Sequence, residues 1–300
     1  MNKYLVFDWG GTSLKYAYMS DGAQILEKGS VPTPSKNSTK EQFYDLIDSV
    51  IRKYTNVDGI AISSTGVIDS EKGYVKIIGA LPFLDNTSLV EELSKKYQLK
   101  VSIENDGRCA ALAELWLGNL SDIDDGAVVV IGTNIGAAII LNHQLRRGKQ
   151  FLAGEMCAMC CDEHHQDVPY SYIGQHGTPY LCELIQDKKS MKESIDGMQA
   201  FRLIHDGDED AIIALHEYTD LLAIQLFNLN ILLDLEKIVI GGGISEQKEL
   251  MDSLKESIKN LSKIHPDIVK GIQYPLPNID VCKFHNEANL IGALYHFLYE

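Results

Sequence analysis

Lys100–Asn119 reads KVSIENDGRCAALAELWLGN, and two periodicities meet inside it. Val101 and Ile103 alternate with polar neighbours as in a short strand, whereas Ala110, Leu112, Ala113, Leu115 and Trp116 fall on helical spacing. The join is Glu104-Asn105-Asp106. A carboxylate suits the first turn of a helix, where backbone N–H groups lack partners and the dipole end is positive. Asp106 therefore reads in two ways. It is a helix cap, or it is a general base at the mouth of a site, because ligands in open α/β sheets gather where strands end and helices begin. The rest of the chain has to decide between them.

Length and composition narrow the choice. At 300 residues the chain can hold two domains with their own cores, and 45% hydrophobic with 23% charged residues is a globular composition. No apolar run approaches a membrane span. The strand-like YLVFD begins at Tyr4, from which no signal peptide, no membrane partner and a cytoplasmic location are expected. A net charge of −15 without a segregated Lys/Arg cluster sets the chain against nucleic acid. A ligand that brings its own cation, such as a magnesium-bound nucleotide, stays compatible. The six cysteines are scattered apart from Cys157, Cys160 and Cys161, and read as reduced thiols.

Upstream, Tyr4 to Met19 reads as a hairpin: a strand ending in Asp8, a Gly10-Gly11 turn, and renewed alternation through Leu14, Tyr16 and Tyr18. Two glycines admit close approach of a ligand, and Thr12 and Ser13 add donors, so the tip is either a phosphate cradle or an ordinary tight turn. Asp8 beside it has the chemistry to hold magnesium through water. Gln24 to Val31 reads as a third strand, Lys40 to Tyr54 as an amphipathic helix, and Gly59 to Ser64 as a buried strand ending in the polar loop Ser63-Ser64-Thr65-Gly66. Tyr74 to Ile78 reads as a short strand. Leu81 to Asn86 reads as a loop, and Ser88 to Tyr97 as a helix capped by Thr87 or Ser88.

Downstream the same design starts again. Gly126 to Ile131 is a strand, Gly132-Thr133-Asn134-Ile135-Gly136 a glycine turn, and Ala137 to Leu141 a returning strand. Two such hairpins suggest two related halves about a nucleotide. Glu209 to Asp234 is a long apolar helix. Lys237 to Ile240 is a strand running into Gly241-Gly242-Gly243 and a helix from Ser245. That triplet is either a bare backbone platform for adenine and ribose or a loop that needs freedom. Ile279 to Lys283 and Glu287 to Tyr299 close the chain as strand and helix.

Four pieces in order, FDWGGTSLK (Phe7 to Lys15), IENDGRCAALAE (Ile103 to Glu114), VIGTNIGAAI (Val130 to Ile139) and IVIGGGI (Ile238 to Ile244), resemble the ROK family of sugar kinases and related repressors, within the larger sugar kinase, Hsp70 and actin group. The resemblance implies an α/β fold of two ribonuclease H-like, actin-like ATPase domains with a cleft between them. Residues 1–118 would form the N-terminal domain, with closing helix 287–300 packed back on it, and residues 119–286 the C-terminal one. It implies ATP and Mg2+ as cofactors and a homodimer. The phosphate contacts fall on Asp8, Gly10, Gly11, Thr12 and Lys15 and on Gly132, Thr133 and Gly136. The adenosine contacts fall on Gly241, Gly242 and Gly243, the catalytic base on Asp106, and the sugar contacts on Asn105, Glu155, Ser64 and Gly66.

Departures from the family pattern are informative. AGExGH is here AGEMCA, so Glu155 keeps its place while the sugar- and zinc-binding histidine is Ala158. The zinc motif CxCGxxGCxE becomes SYIGQHGTPY: Gly174 and Gly177 survive, but Ser171, Ile173, Thr178 and Tyr180 replace the three cysteines and the glutamate. No zinc site is expected there. Cys157, Cys160, Cys161, His164 and His165 lack the second separated pair of a zinc site and read as thiols and surface histidines. The family's asparagine before Leu-Pro is Ala80, and Asn134 replaces a family glycine. The lost groups serve the anomeric end of the sugar, which suits a substrate substituted there: a β-glucoside such as cellobiose, phosphorylated at a 6-hydroxyl. Alternatives are a kinase for free glucose or an N-acetylated hexosamine or mannosamine, a non-catalytic sugar sensor, and an actin-like or chaperone ATPase. A repressor needs a DNA-binding segment ahead of the first strand, and that strand begins at Tyr4.

Overall fold

The computed structural model describes residues 2–161, 171–264 and 274–300. Contacts divide the chain into two units: Met1–Ser121, Arg147–Ala153 and Asn286–Glu300 make the first, Asp122–Arg146 and Gly154–His285 the second.

In the first unit, β1 (Lys3–Trp9) and β2 (Ser13–Ser20) pair antiparallel from Lys3 opposite Ser20 to Trp9 opposite Leu14. The antiparallel strand β3 (Ile25–Pro32) follows. Helix α1 (Lys40–Ile51) starts at a capping box in which Thr39 and Gln42 satisfy each other's backbone N–H groups. It buries Phe43, Ile47 and Val50, a spacing of four then three that keeps them on one face. Phe43 meets Trp9 edge to face at 4.9 Å in a core that also holds Leu5, Phe7 and Ile62. Burying each such side chain contributes about 1.5–3 kcal/mol. Strand β4 (Gly59–Ser64) lies parallel to β1, and β5 (Val67–Asp69) with β6 (Tyr74–Ile77) makes a separate ribbon. Helix α2 (Leu89–Tyr97) has Ser88 at its N-cap without a side-chain bond. Strand β7 (Val101–Asn105), parallel to β4, runs straight into α3 (Asp106–Leu117). The sheet order is β3-β2-β1-β4-β7.

The second unit repeats this plan. Strands β8 (Gly126–Ile131), β9 (Ile135–Leu141) and β10 (Gln144–Leu145) are antiparallel neighbours. Helices α4 (Thr178–Lys189), α5 (Gly197–His205) and α6 (Glu209–Leu233) come next. Then β11 (Lys237–Gly241), α7 (Lys248–Ile264) and β12 (Ile279–Val281) complete a sheet of order β10-β9-β8-β11-β12. In each sheet the first three strands are antiparallel and the last two parallel, the ribonuclease H arrangement twice over. Helix α8 (Ala288–Tyr299) belongs to the first unit and packs on α3.

One boundary differs from expectation. Residues 147–153 do not continue the second unit but return to the first, because two buried side chains there claim them. Arg147 Nε donates to Glu104 Oε2 at 2.6 Å, and Arg108 Nη2 donates to the Phe151 carbonyl.

Candidate active site

In the first unit, Asp8 on β1 faces Lys15 on β2. Its carboxylate is buried. Oδ1 accepts from Ser63 Oγ of β4 and from Asn289 Nδ2 of α8, each at 3.1 Å, and Oδ2 lies 3.9 Å from Lys15 Nζ. Burial raises the Asp8 pKa, and Asn289, Lys15 and Ser63 offset this only in part. At 3.9 Å the ammonium is beyond hydrogen-bond reach of Oδ2, so that oxygen can take a metal-bound water. The donor set fits an ion held at one remove. The hairpin tip is fixed from behind: Gly10 N donates to the Ser13 carbonyl at 3.2 Å, Thr33 Oγ1 to the Gly10 carbonyl at 2.7 Å, and Thr33 N to the Thr12 carbonyl at 3.1 Å. Gly11 and Thr12 are left exposed.

At the join of β7 and α3 the helix cap is Asn105, not Asp106. An N-cap needs extended backbone, which Asn105 has at φ −67, ψ 145 as the last residue of the strand. Its Oδ1 accepts from Arg108 N at 3.2 Å. Asp106 is already the first helical residue. Its Oδ1 accepts from Asn105 Nδ2 at 2.9 Å and from its neighbour Gly107 N at 2.8 Å, while the Asn105 amide also donates to the Gly66 carbonyl at 3.1 Å. Asp106 is thus a half-buried carboxylate held in orientation at the positive end of a helix. Such a group can accept a proton from a nearby hydroxyl. Ser64 is wholly buried and its hydroxyl donates to the Thr65 carbonyl at 3.2 Å, so it shapes the loop carrying Gly66.

In the second unit, the turn between β8 and β9 closes with Gly132 N donating to the Asn134 carbonyl at 3.0 Å, and Thr133 and Asn134 are exposed. The start of α4 clamps this turn. Thr178 N donates to the Gly132 carbonyl at 2.8 Å, and a Cβ on Gly177 would sit 2.6 Å from the same oxygen and nearer still to that of Thr133. After β11, Gly242 has φ +100, and a Cβ there would lie 2.8 Å from Ile131 N. Only glycine fits that crossing. Gly241 is buried and Gly243 exposed. A cavity of about 520 Å³ joins these pieces, with Gly132 and Thr133 at its rim together with Gly243 and Ile244, and with Phe201 and Met198 supplying apolar wall. An exposed glycine turn and an apolar wall in one cavity suit a nucleotide.

Glu155 opens the short helical turn Met156–Ala158, half-buried, with Cys157 Sγ donating to its Oε2 at 3.4 Å. Burial and the Glu155 charge push the Cys157 thiol pKa up. Two of the family's zinc-cysteine positions, Ser171 and Ile173, are buried, whereas Ala158, at the histidine position, is exposed. Ile173 lies in the core. Cys161 N donates to the Ser171 carbonyl at 2.8 Å and Ile173 N to that of Met159 at 2.9 Å, so the two arms pair directly. The Tyr180 ring meets His176 edge-on at 4.5 Å, and Tyr218 Oη donates to the His176 carbonyl at 3.0 Å. Of the cysteine and histidine group named above, His164 and His165 lie outside the described residues. Among the described residues no three His, Cys, Asp or Glu side chains gather as metal ligands.

Sequence reasoning missed Asn289 and the pair of arginines, Arg108 and Arg147, around the fully buried Glu104. The four-residue spacing of Glu104 and Arg108 was a usable signal. Nothing local marks Arg147 or Asn289.

Paired glycine-turn hairpins on two ribonuclease H-like sheets define the actin-like ATPase class of α/β proteins. The chain belongs to the ROK family, which it matches over residues 4–299. It is 32% identical to a β-glucoside kinase of Listeria monocytogenes, covering 99% of this chain and 98% of that one. It is 30% identical to a β-glucoside kinase of Klebsiella pneumoniae, covering 98% and 96%. A crystal structure of a ROK family protein from Streptococcus pneumoniae in complex with sucrose superposes with a TM-score of 0.86 at 29% identity, covering 99% and 98%.

Proposed function

We propose that this protein transfers the γ-phosphoryl group of ATP to the 6-hydroxyl of a glucosyl unit in a β-glucoside such as cellobiose. The observation that carries the chemistry is Asp106, a carboxylate oriented by Asn105 and by the first turn of α3. As the hydroxyl attacks, Asp106 takes its proton, a contribution of about a hundredfold to ten-thousandfold. Asn105, Glu155 and Gly66 orient the sugar. Thr133 and Gly136 in one turn, and Gly11 and Thr12 in the other, hold phosphate oxygens through backbone N–H groups, the Gly132 and Gly10 N–H groups close those turns, and Lys15 adds a positive charge. Gly241, Gly242 and Gly243 lie along adenosine. Asp8 would hold Mg2+ through water, and the ion would supply neutralising charge to the transferring phosphates. Because phosphoryl transfer is mostly positioning and charge stabilisation, these fixed backbone turns account for much of the rate.

The preference for a β-glucoside rests on what is missing. Ala158, exposed, stands where family members have a sugar-binding histidine, and Tyr180 stands where they have a glutamate. Neither the imidazole nor the carboxylate that would demand a free anomeric hydroxyl remains at these positions. The named similarity to β-glucoside kinases, and to a protein crystallised with sucrose, a sugar without a free anomeric hydroxyl, points the same way. Measuring ADP formation over cellobiose, glucose and N-acetylated hexosamines tests the choice. A higher kcat/KM for cellobiose is expected, and a clear preference for free glucose rejects it.

The protein is also proposed to be a homodimer. On α6, Ile213, Ile224 and Ile231 are 49%, 45% and 40% exposed. At about 100° per residue they fall within roughly 20° of one another around the helix. Exposed Asp220 separates Ile213 from the other two, and Ile224 and Ile231, with half-buried Phe227 between them, form an apolar stripe along the C-terminal half of α6. A second copy of the same stripe is the occupant that a two-fold dimer provides. Among the described residues no helix is long and apolar enough to cross a membrane.

A further inference from the structure

We infer that Arg147–Ala153 is a strap that positions the reaction centre, with buried Glu104 as its clasp and Arg147 as a positioning residue. The inference rests on the phosphotransfer reading above.

Glu104 is fully buried, yet both of its carboxylate oxygens have partners. Oε1 accepts from its neighbour Asn105 N at 2.7 Å and from Arg108 Nη1 at 3.3 Å, and Oε2 accepts from Arg147 Nε at 2.6 Å. Asn105 in turn holds Asp106 at 2.9 Å. One buried anion therefore fixes the backbone of the dipeptide that supplies the base and a sugar contact. Its two cations come from different places: Arg108 from α3, and Arg147 from a segment whose chain neighbours on both sides belong to the second unit.

The strap is held along its length. Arg147 grips Glu104 at one end and donates through Nη2 to Glu300, whose Oε2 also meets His296 Nδ1 at 3.0 Å. Arg108 Nη2 donates to the Phe151 carbonyl near the other end. Lys76 Nζ approaches the Gln150 carbonyl at 3.4 Å and lies 5.1 Å from the Phe151 ring centroid. Four residues past Phe151 comes Glu155, the second carboxylate assigned to the sugar. The strap and the Asn105–Asp106 dipeptide are tied to one buried cluster within the first unit. A buried carboxylate that loses one partner is left with an uncompensated charge, so the cluster favours the docked strap over partial detachment.

Arg147 touches Glu104 and Glu300 but not Asp106, so its removal acts through geometry. A displacement of about 1 Å at a reacting group costs roughly a hundredfold in rate. The test compares wild type, Arg147→Met and Arg147→Lys in steady-state ADP release with cellobiose, well below each melting temperature. Arg147→Met is expected to lower kcat by about ten- to a hundredfold while KM for ATP stays unchanged, because none of the residues assigned to the nucleotide touches Arg147. Arg147→Lys should recover part of the loss, because one ammonium pairs with Glu104 but lacks the fork that also reaches Glu300. A merely structural arginine would lower the melting temperature and leave kcat of the folded fraction alone. Wild-type kcat in folded Arg147→Met overturns the proposal, and if that variant does not fold, wild-type kcat in Arg147→Lys does so. A wild-type protein that binds ATP yet releases no ADP with any sugar overturns the phosphotransfer reading, and the proposal with it.

Discussion

Gly177→Ala is the smallest change expected to separate nucleotide handling from sugar handling. Gly177 is the N-cap of α4, and its backbone lies against the turn Gly132-Thr133. An added methyl would sit 2.6 Å from the Gly132 carbonyl oxygen. Ordinary van der Waals separation is about 3.5 Å, so turn or helix must retreat by roughly 1 Å. Neither can yield alone, because Thr178 N is hydrogen-bonded to the same Gly132 carbonyl at 2.8 Å. A shift of that size at a group positioning the reacting phosphate costs about a hundredfold. We expect kcat/KM for ATP to fall by that order, with KM for the sugar changing much less, since Asn105 and Gly66 lie in the other unit and of the residues assigned to the sugar only Glu155 shares a unit with Gly177. Steady-state kinetics with each substrate varied in turn, beside a calorimetric melting curve, make the comparison. Normal kcat/KM for ATP in a folded variant would refute the reasoning that α4 sets the position of the phosphate turn.

Asp8→Asn should cost turnover without costing stability. Burial raises the Asp8 pKa, so its ionised form penalises the folded state, a penalty present at neutral pH and relieved as pH falls through the raised pKa. The amide keeps an oxygen for Ser63 and Asn289, so the melting temperature at pH 7 should hold or rise while magnesium-dependent activity drops; a marked fall in melting temperature contradicts this. His176 behaves in the opposite sense. Burial lowers its pKa despite hydrogen bonds with the Tyr172 and Ile173 backbone, so stability is complete above its unfolded value of about 6.5 and declines as pH falls from there through the folded value. Between pH 7.5 and 5 the wild-type melting temperature should fall further than that of His176→Phe, and parallel curves would count against it. Ile224→Glu places a charge in the apolar stripe of α6 and should convert a dimer to a monomer in light scattering, whereas unchanged mass would remove that face from the interface.

Much of the fold was legible because its strands are apolar runs cut short by glycine, as at Gly10, Gly132 and Gly241, and because α6 is apolar over seven turns. Helices α4 and α5 were not foreseen. Helix α4 buries only Leu181, Cys182 and Ile185, and its start lies in a stretch whose spacing suggests a metal motif. Helix α5 is nine residues long, although its Asp196 and Gln199 capping box was there to be read. Strand β5 has three residues, too few for alternation to register. In the site, Asp8, Asp106 and the glycine turns announce themselves because their chemistry is local. Asn289 meets Asp8 across 281 positions and Arg147 meets Glu104 across 43, and such partners are chosen by packing that no short window contains. The capping role at the β7–α3 join went to Asn105 because strand geometry persists one residue further than the charge of Asp106 suggests.

Wild type and Asp106→Asn, each supplied with ATP, magnesium and cellobiose in a coupled ADP assay, test the central claim most directly. The account predicts sugar-dependent ADP release by wild type and a loss of about a hundredfold to ten-thousandfold in the variant, with ATP affinity retained. Near-normal turnover by Asp106→Asn, or wild-type ADP release that does not depend on sugar, would contradict it.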